Sequence, residues 1–305
     1  MKDFSNYMFL TIEGFEAEGK FSTARLFRSS LRSFELFYGG AVPYEALTPE
    51  VLSSYEAHLL QRSLALNTVS TYLRMLRATY YRAVAAGETA EVPGLFRGVF
   101  TGTRSDVKRA LSVRNTARLL AADEQTVPPA LLQVCAWAQL MFLLRGIPFA
   151  DLARLRKCDL HEGIITYRRC KTGSLITIIV PAEALDIICR VGDSDPRSPY
   201  LLPILDKRLR RAADIDRCYT SALRRFNRLL AQLSVALGLH ARLSSYTLRH
   251  TWATTAFRRK VPVGLICNAM GHSSVTVTET YLKPFVDEEI DRANRELISY
   301  IKSFI

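Results

Sequence analysis

The sequence lacks any run of about 18 uncharged apolar residues, the length a membrane-spanning helix requires. Its opening residues, MKDFSNYMFLTIEGFEAEG, also lack the apolar stretch of a signal peptide, so a soluble, cytoplasmic chain without a membrane partner is expected. The six cysteines, at 135, 158, 170, 189, 218 and 267, never stand at C-x-x-C spacing and sit in apolar or mixed segments. Both a zinc site and a disulfide framework are disfavoured by that distribution, and no metal or cofactor is expected. There is no glycine-rich phosphate loop, which argues against an ATP-driven enzyme. No internal repeat or low-complexity segment is present either.

What is present is length and positive charge. A chain of 305 residues exceeds the usual size of one hydrophobic core, so two domains are expected. The net charge of +12 favours a polyanionic partner through release of condensed counterions. Its distribution is uneven: residues 1–100 carry 10 basic and 10 acidic side chains, whereas 101–305 carry 31 and 19.

Along the chain, 20–38 places Phe27, Leu31 and Phe34 on one helical face and Arg25, Arg28 and Arg32 on another, ending at Gly39-Gly40. A second helix opens with Thr48 as N-cap and Pro49 at its first position. A third, from about 67 to 86, carries Arg74, Arg77 and Tyr81 as a basic and aromatic stripe and closes at Gly87. Such stripes serve a solvated face as readily as a nucleic acid. Residues 88–110 hold three glycines, a proline and the cations Arg97, Arg104, Lys108 and Arg109, which reads as a linker with a basic end. Ser112 caps the next helix, and an apolar helix runs from Pro128-Pro129 to Leu144 and Arg145. Arg145 there either compensates the helix dipole or faces a ligand. GIITYRRCKTGSLITIIV is the clearest β signal, two β-branched runs around a Lys171-Thr172-Gly173 turn. The charge run 206–217 and the arginines 224, 225 and 228 of a helix over 219–237 fit either solvent or a DNA backbone.

The densest chemistry lies in 244–281. Ser244 or Ser245 caps a helix on which Leu248, Trp252, Thr255 and Ala256 share a face, and Arg249 leaves that stripe near the N-terminus, where backbone N–H groups favour an anion. A second short helix, 263–270, stops at Gly271, and His272 follows directly with both ring nitrogens open to a ligand. Tyr281 comes after the β-branched run 275–278.

RHTWAT followed by GHSSVTVTETY, with R-G-I-P-F-x-D-L-x-x-L-R upstream, resembles the tyrosine recombinase (phage integrase) family over most of the C-terminal two-thirds. The resemblance implies a mainly α fold with a small β-hairpin or sheet. An N-terminal helical, SAM-like core-binding domain over 1–100 and a linker over 101–110 would precede a mixed α+β catalytic domain over 111–305, ending in a helix at 287–303. It implies catalytic roles for Arg145, Lys171, Tyr246, Arg249, His272 and Tyr281. Arg145 and Arg249 would clamp the phosphate, Lys171 would protonate the leaving oxygen, and Tyr281 would be the nucleophile. His272 and Tyr246 would bond the phosphate or help activate the tyrosine, although Tyr246 stands where the family has histidine. Asp151 would cap a helix or orient an arginine. DNA contacts would come from Arg25, Arg28, Arg32, Arg74, Arg77, Tyr81, Arg104, Lys108, Arg168 and Arg169.

The partners implied are double-stranded DNA with paired inverted half-sites and further copies of the chain, a dimer per site and a tetramer in the synapse. The stripe Ile290, Asn294, Leu297 and Ile301 of the last helix would pack on its own domain or on a neighbouring protomer. The helical domain begins within about 20 residues of Met1, so no additional DNA-binding domain is expected before it. The competing readings are a type IB topoisomerase and a DNA-binding module with a decayed site.

Overall fold

The computed structural model describes residues 3–102 and 110–304, and within them no side chains at 280, 281 or 283–293. The chain divides into two compact units, Met1–Arg104 and Ser105–Ile305.

In the first unit, helix α1 (Phe4–Ala17) is capped by Asp3, whose side chain accepts from the Asn6 N–H at 2.6 Å. Its Phe4, Met8, Ile12 and Phe15 repeat at helical spacing and are buried against α2 (Phe21–Tyr38) and α4 (Leu66–Ala85). Between them α3 (Pro49–Gln61) starts at the Thr48 cap with proline at its first position. Gly39, at φ 92°, ends α2 in the left-handed region that glycine enters without strain. Fully buried Phe34, Tyr55 and Leu73 join these helices into one core, each aromatic or aliphatic side chain contributing about 1.5–3 kcal/mol.

The second unit begins with α5 (Val113–Leu120), capped by Ser112, and is built around α6 (Pro129–Leu143). Apolar on nearly every face, α6 packs against α8 (Ala182–Val191), α9 (Ala212–Ala236) and α10 (Ser245–Arg258). The one-turn helix α7 (Phe149–Leu152) is fixed by a Phe149–Phe226 ring stack at 4.2 Å. Strands β1 (Leu160–His161), β2 (Ile164–Arg168) and β3 (Leu175–Ile179) form an antiparallel sheet in that order. Ile165 and Tyr167 alternate inward from β2 and Ile176 and Ile178 from β3. Helices α11 (Val263–Met270) and α12 (Val275–Lys302) follow, and Ile266, Met270 and Leu282 close a small core with Ala253 of α10.

The final helix departs from expectation. It does not start at 287; its helical backbone runs continuously from Val275 through Pro284, and Tyr281 lies inside it. Proline's φ is compatible with a helix, so the ring removes one backbone donor without ending the element.

Candidate active site

The site is assembled where α10, the β2–β3 turn and the α11–α12 turn converge. Ser244 and Thr247 form a reciprocal capping box that fixes the start of α10. Arg249, one turn further on, is only 4% exposed. Its Nη1 donates to the Gly146 carbonyl at 2.8 Å, and its Nη2 donates to the Met270 carbonyl at 2.7 Å. Glycine is required at 146: φ is 67°, and a Cβ there would lie 3.3 Å from the Arg249 Cα and 3.2 Å from the Trp252 Cβ.

His272 follows the left-handed stop at Gly271, φ 61°. Arg249 Nη2 lies 3.0 Å from its Nε2, and Thr278 Oγ1 lies 2.8 Å from its Nδ1. A guanidinium can only donate, so Nε2 must accept; the proton therefore sits on Nδ1 and is donated to Thr278. Burial, then Arg249, Arg169 and Lys171, hold the imidazole down at about 4, so it is neutral at physiological pH. Both ring nitrogens are thus engaged within the chain, a correction to the expectation that both stand open.

Lys171 sits exposed at the tip of the β2–β3 turn. The turn is bolted down from two sides. Asp151 Oδ1 accepts from the Cys170 N–H at 2.8 Å, while Thr172 Oγ1 donates to the Gly271 carbonyl at 3.1 Å. Arg169 adds an ion pair to Asp151, Nε to Oδ2 2.7 Å but out of hydrogen-bond alignment, and donates from Nη1 to the carbonyls of Met270 and Gly271. Burial and Asp151 push the neighbouring Cys170 thiol up to about 12, so it carries no thiolate at neutral pH.

Lys171, Tyr246, Arg249 and His272 line one cavity of about 280 Å³, together with Asp151, Arg169, Thr172 and Ser273. Tyr246 is 48% exposed, its ring 5.5 Å from that of His250. Arg145 does not line this cavity. It follows α6 at φ 58°, and its Nη1 donates to the Thr177 carbonyl of β3 at 3.2 Å. The Tyr281 side chain lies outside the described residues.

Of the expected DNA contacts, Arg169 is corrected: at 7% exposure it is a buried member of the cavity wall, because it continues the inward parity of Ile165 and Tyr167. Arg168, of opposite parity, is exposed. Arg25, Arg28 and Arg32 share a face of α2, with Arg28 paired to Glu16 at 2.8 Å. Arg74, Arg77 and Tyr81 share a face of α4; Arg77 donates to Thr101 at 2.9 Å, and Tyr81 is 41% exposed. Arg104 and Lys108 lie outside the described residues. Asp151, as expected, orients an arginine, whereas sequence reasoning missed Thr278 and the placement of Arg169.

A helical unit followed by an α+β unit is also the fold of solved integrases. The Tn1549 transposon integrase in complex with a circular intermediate DNA matches over 92% of this chain and 95% of that chain, at TM-score 0.64 and 17% identity. Tyrosine recombinase XerA of Thermococcus kodakarensis is 26% identical over 291 residues, 90% of this chain and 91% of that protein. A tyrosine recombinase of Pseudothermotoga lettingae is 30% identical over 70 residues, 23% of this chain and 24% of that one. Residues 3–93 match the phage integrase SAM-like domain and 111–288 the phage integrase family. The chain belongs to the phage integrase family.

Proposed function

We propose that this chain is a site-specific recombinase that cuts and rejoins duplex DNA through a 3′-phosphotyrosine on Tyr281. The observation that carries the reading is the convergence of Lys171, Arg249 and His272 on one cavity, two turns and a helix end having been tied together to bring them there. In the step proposed, the Tyr281 phenol oxygen forms a bond to phosphorus as the bond from phosphorus to the 5′-oxygen breaks. The phenolic proton leaves to solvent, and Lys171 returns one to the 5′-oxygen. Arg249 holds the charge growing on the non-bridging oxygens; removing one such donor typically costs about 100- to 1000-fold. His272, neutral and bonded at both nitrogens, orients Arg249, and Tyr246 offers a phenol donor at the rim.

The arginine faces of α2 and α4 supply backbone contacts that set position and register rather than sequence. Inverted half-sites and an assembly of like chains are supported by the last turns of α12, where Leu297, Ile298, Ile301 and Phe304 stand 64%, 46%, 60% and 73% exposed. An apolar stripe left uncovered by its own chain calls for a second copy. A single-duplex relaxing enzyme has no use for such a stripe, and Lys171, Arg249 and His272 gathered on one cavity argue against decay.

The test is covalent capture. Duplexes trapped by the protein from a random-sequence pool are rebuilt with a nick close downstream of the cleaved bond, so that the short 5′-hydroxyl fragment diffuses away. The reading predicts a stable covalent complex without metal or nucleotide. Specific binding with no covalent species would leave only a DNA-binding module.

A further inference from the structure

Among the described residues two guanidinium groups reach the cavity, and one is not the arginine that the motif order selects. Arg145 is turned to the Thr177 carbonyl and does not line the cavity. The second is Arg169. Its Nε lies against Asp151 and its Nη1 donates to the Met270 and Gly271 carbonyls, which leaves Nη2 without a protein partner among the described residues. Nη2 is not among the sealed unpartnered atoms either, so in a side chain that lines the cavity it is the nitrogen open to a ligand.

The pairing with Arg249 is close. Arg169 Nη1 and Arg249 Nη2 both donate to the same oxygen, the Met270 carbonyl, so two cations of 7% and 4% exposure are held side by side. Like charges so placed repel, and among the described residues the wall supplies one carboxylate, Asp151, against Arg169, Arg249 and the rim Lys171. With His272 neutral, an anion entering the cavity completes the balance. An anion whose charge grows during the reaction gains more from this arrangement than one whose charge is fixed.

We propose that Arg169, rather than Arg145, is the second arginine contacting the scissile phosphate, donating from Nη2 while Asp151 and the two carbonyls hold the rest of its guanidinium still. A donor fixed in this way needs no reorganisation when charge develops. Arg145 then serves the end of α6 and the outer strand β3. The assignment rests on the reading that this cavity receives a DNA phosphodiester.

The test compares wild type, Arg169→Gln, Arg169→Lys and Arg145→Gln on the captured, nicked duplex, carrying at the cleaved linkage either the natural phosphodiester or a neutral methylphosphonate. Covalent complex formation is timed, with DNA affinity and melting temperature as controls. Arg169→Gln is expected to lose about 100- to 1000-fold on the phosphodiester. It should recover selectively on the methylphosphonate, where the non-bridging charge it would have held is gone. Arg145→Gln should lose less than about tenfold, because its bond to Thr177 is solvent-exposed and lies outside the cavity, with no selective recovery. Arg169→Lys keeps a cation beside Asp151 and loses the fork; it carries the same comparison if the glutamine variant does not fold. Selective recovery in Arg145→Gln overturns the assignment. So does an Arg169 defect equal on both linkages, which marks a residue that only props the Lys171 turn. Absence of covalent complex from wild type on the phosphodiester contradicts the recombinase reading itself.

Discussion

Thr278→Val isolates the proton position on His272. Valine keeps the shape and β-branching of threonine, so α12 and the packing of this fully buried side chain persist while the acceptor 2.8 Å from Nδ1 is removed. Two outcomes are open to the ring. If it keeps its proton on Nδ1, a buried donor is left unsatisfied at a cost of about 1–3 kcal/mol. If the proton moves to Nε2, an N–H is directed at the Arg249 Nη2 only 3.0 Å away, and the two donors must separate. In the first case the ring loses the bond that fixes its position behind Arg249; in the second it also stops accepting from Arg249. If the loss falls on the reacting geometry, about 1–3 kcal/mol corresponds to about 5- to 150-fold in the rate of covalent complex formation. DNA affinity, set by phosphate contacts elsewhere, should be unchanged. Thr278→Ser, which returns the hydroxyl, should recover most of the rate. Nitrogen-15 spectra of the ring report the tautomer directly. Wild-type cleavage by Thr278→Val, with the proton still on Nδ1, would refute the reasoning.

Two other expectations concern pH and assembly. His272 binds its proton near 6.5 when unfolded and at about 4 when folded, so between those values the unfolded chain holds more protons and stability falls as pH falls. Melting temperature should therefore drop more steeply from pH 6.5 to 4 in wild type than in His272→Gln, and parallel curves would count against a buried neutral imidazole. For assembly, Leu297→Glu with Ile301→Glu alters two exposed positions of α12. Binding to a single half-site should be retained, while cooperative binding to paired half-sites falls in a gel-shift titration; unchanged cooperativity would show that this stripe is not the contact between copies.

Much of this was legible in residue patterns. Thr48, Ser112 and Ser244 announce helix starts because each hydroxyl satisfies an otherwise orphaned N–H, and Gly39 and Gly271 announce stops because only glycine takes the left-handed angle cheaply. The Lys171-Thr172-Gly173 turn was equally plain. Helix α1 was also readable, with Phe4, Met8, Ile12 and Phe15 at regular spacing, but it sits next to no motif. Arg169 was missed as a member of the wall although period-two alternation from Ile165 and Tyr167 turns it inward; its charge suggested an outer face. The ion pair to Asp151 and the shared Met270 carbonyl, which make that burial tolerable, join positions distant in sequence and leave no local trace. Thr278 was hidden for the same reason.

The central claim is that this cavity serves a tyrosine nucleophile at residue 281. The most direct measurement is covalent complex formation on the captured, nicked duplex by wild type and Tyr281→Phe, read on a denaturing gel beside a binding titration. The account predicts that the phenylalanine variant binds the duplex as tightly as wild type and forms no covalent complex, since only the attacking oxygen is gone. Covalent complex persisting in Tyr281→Phe would contradict it.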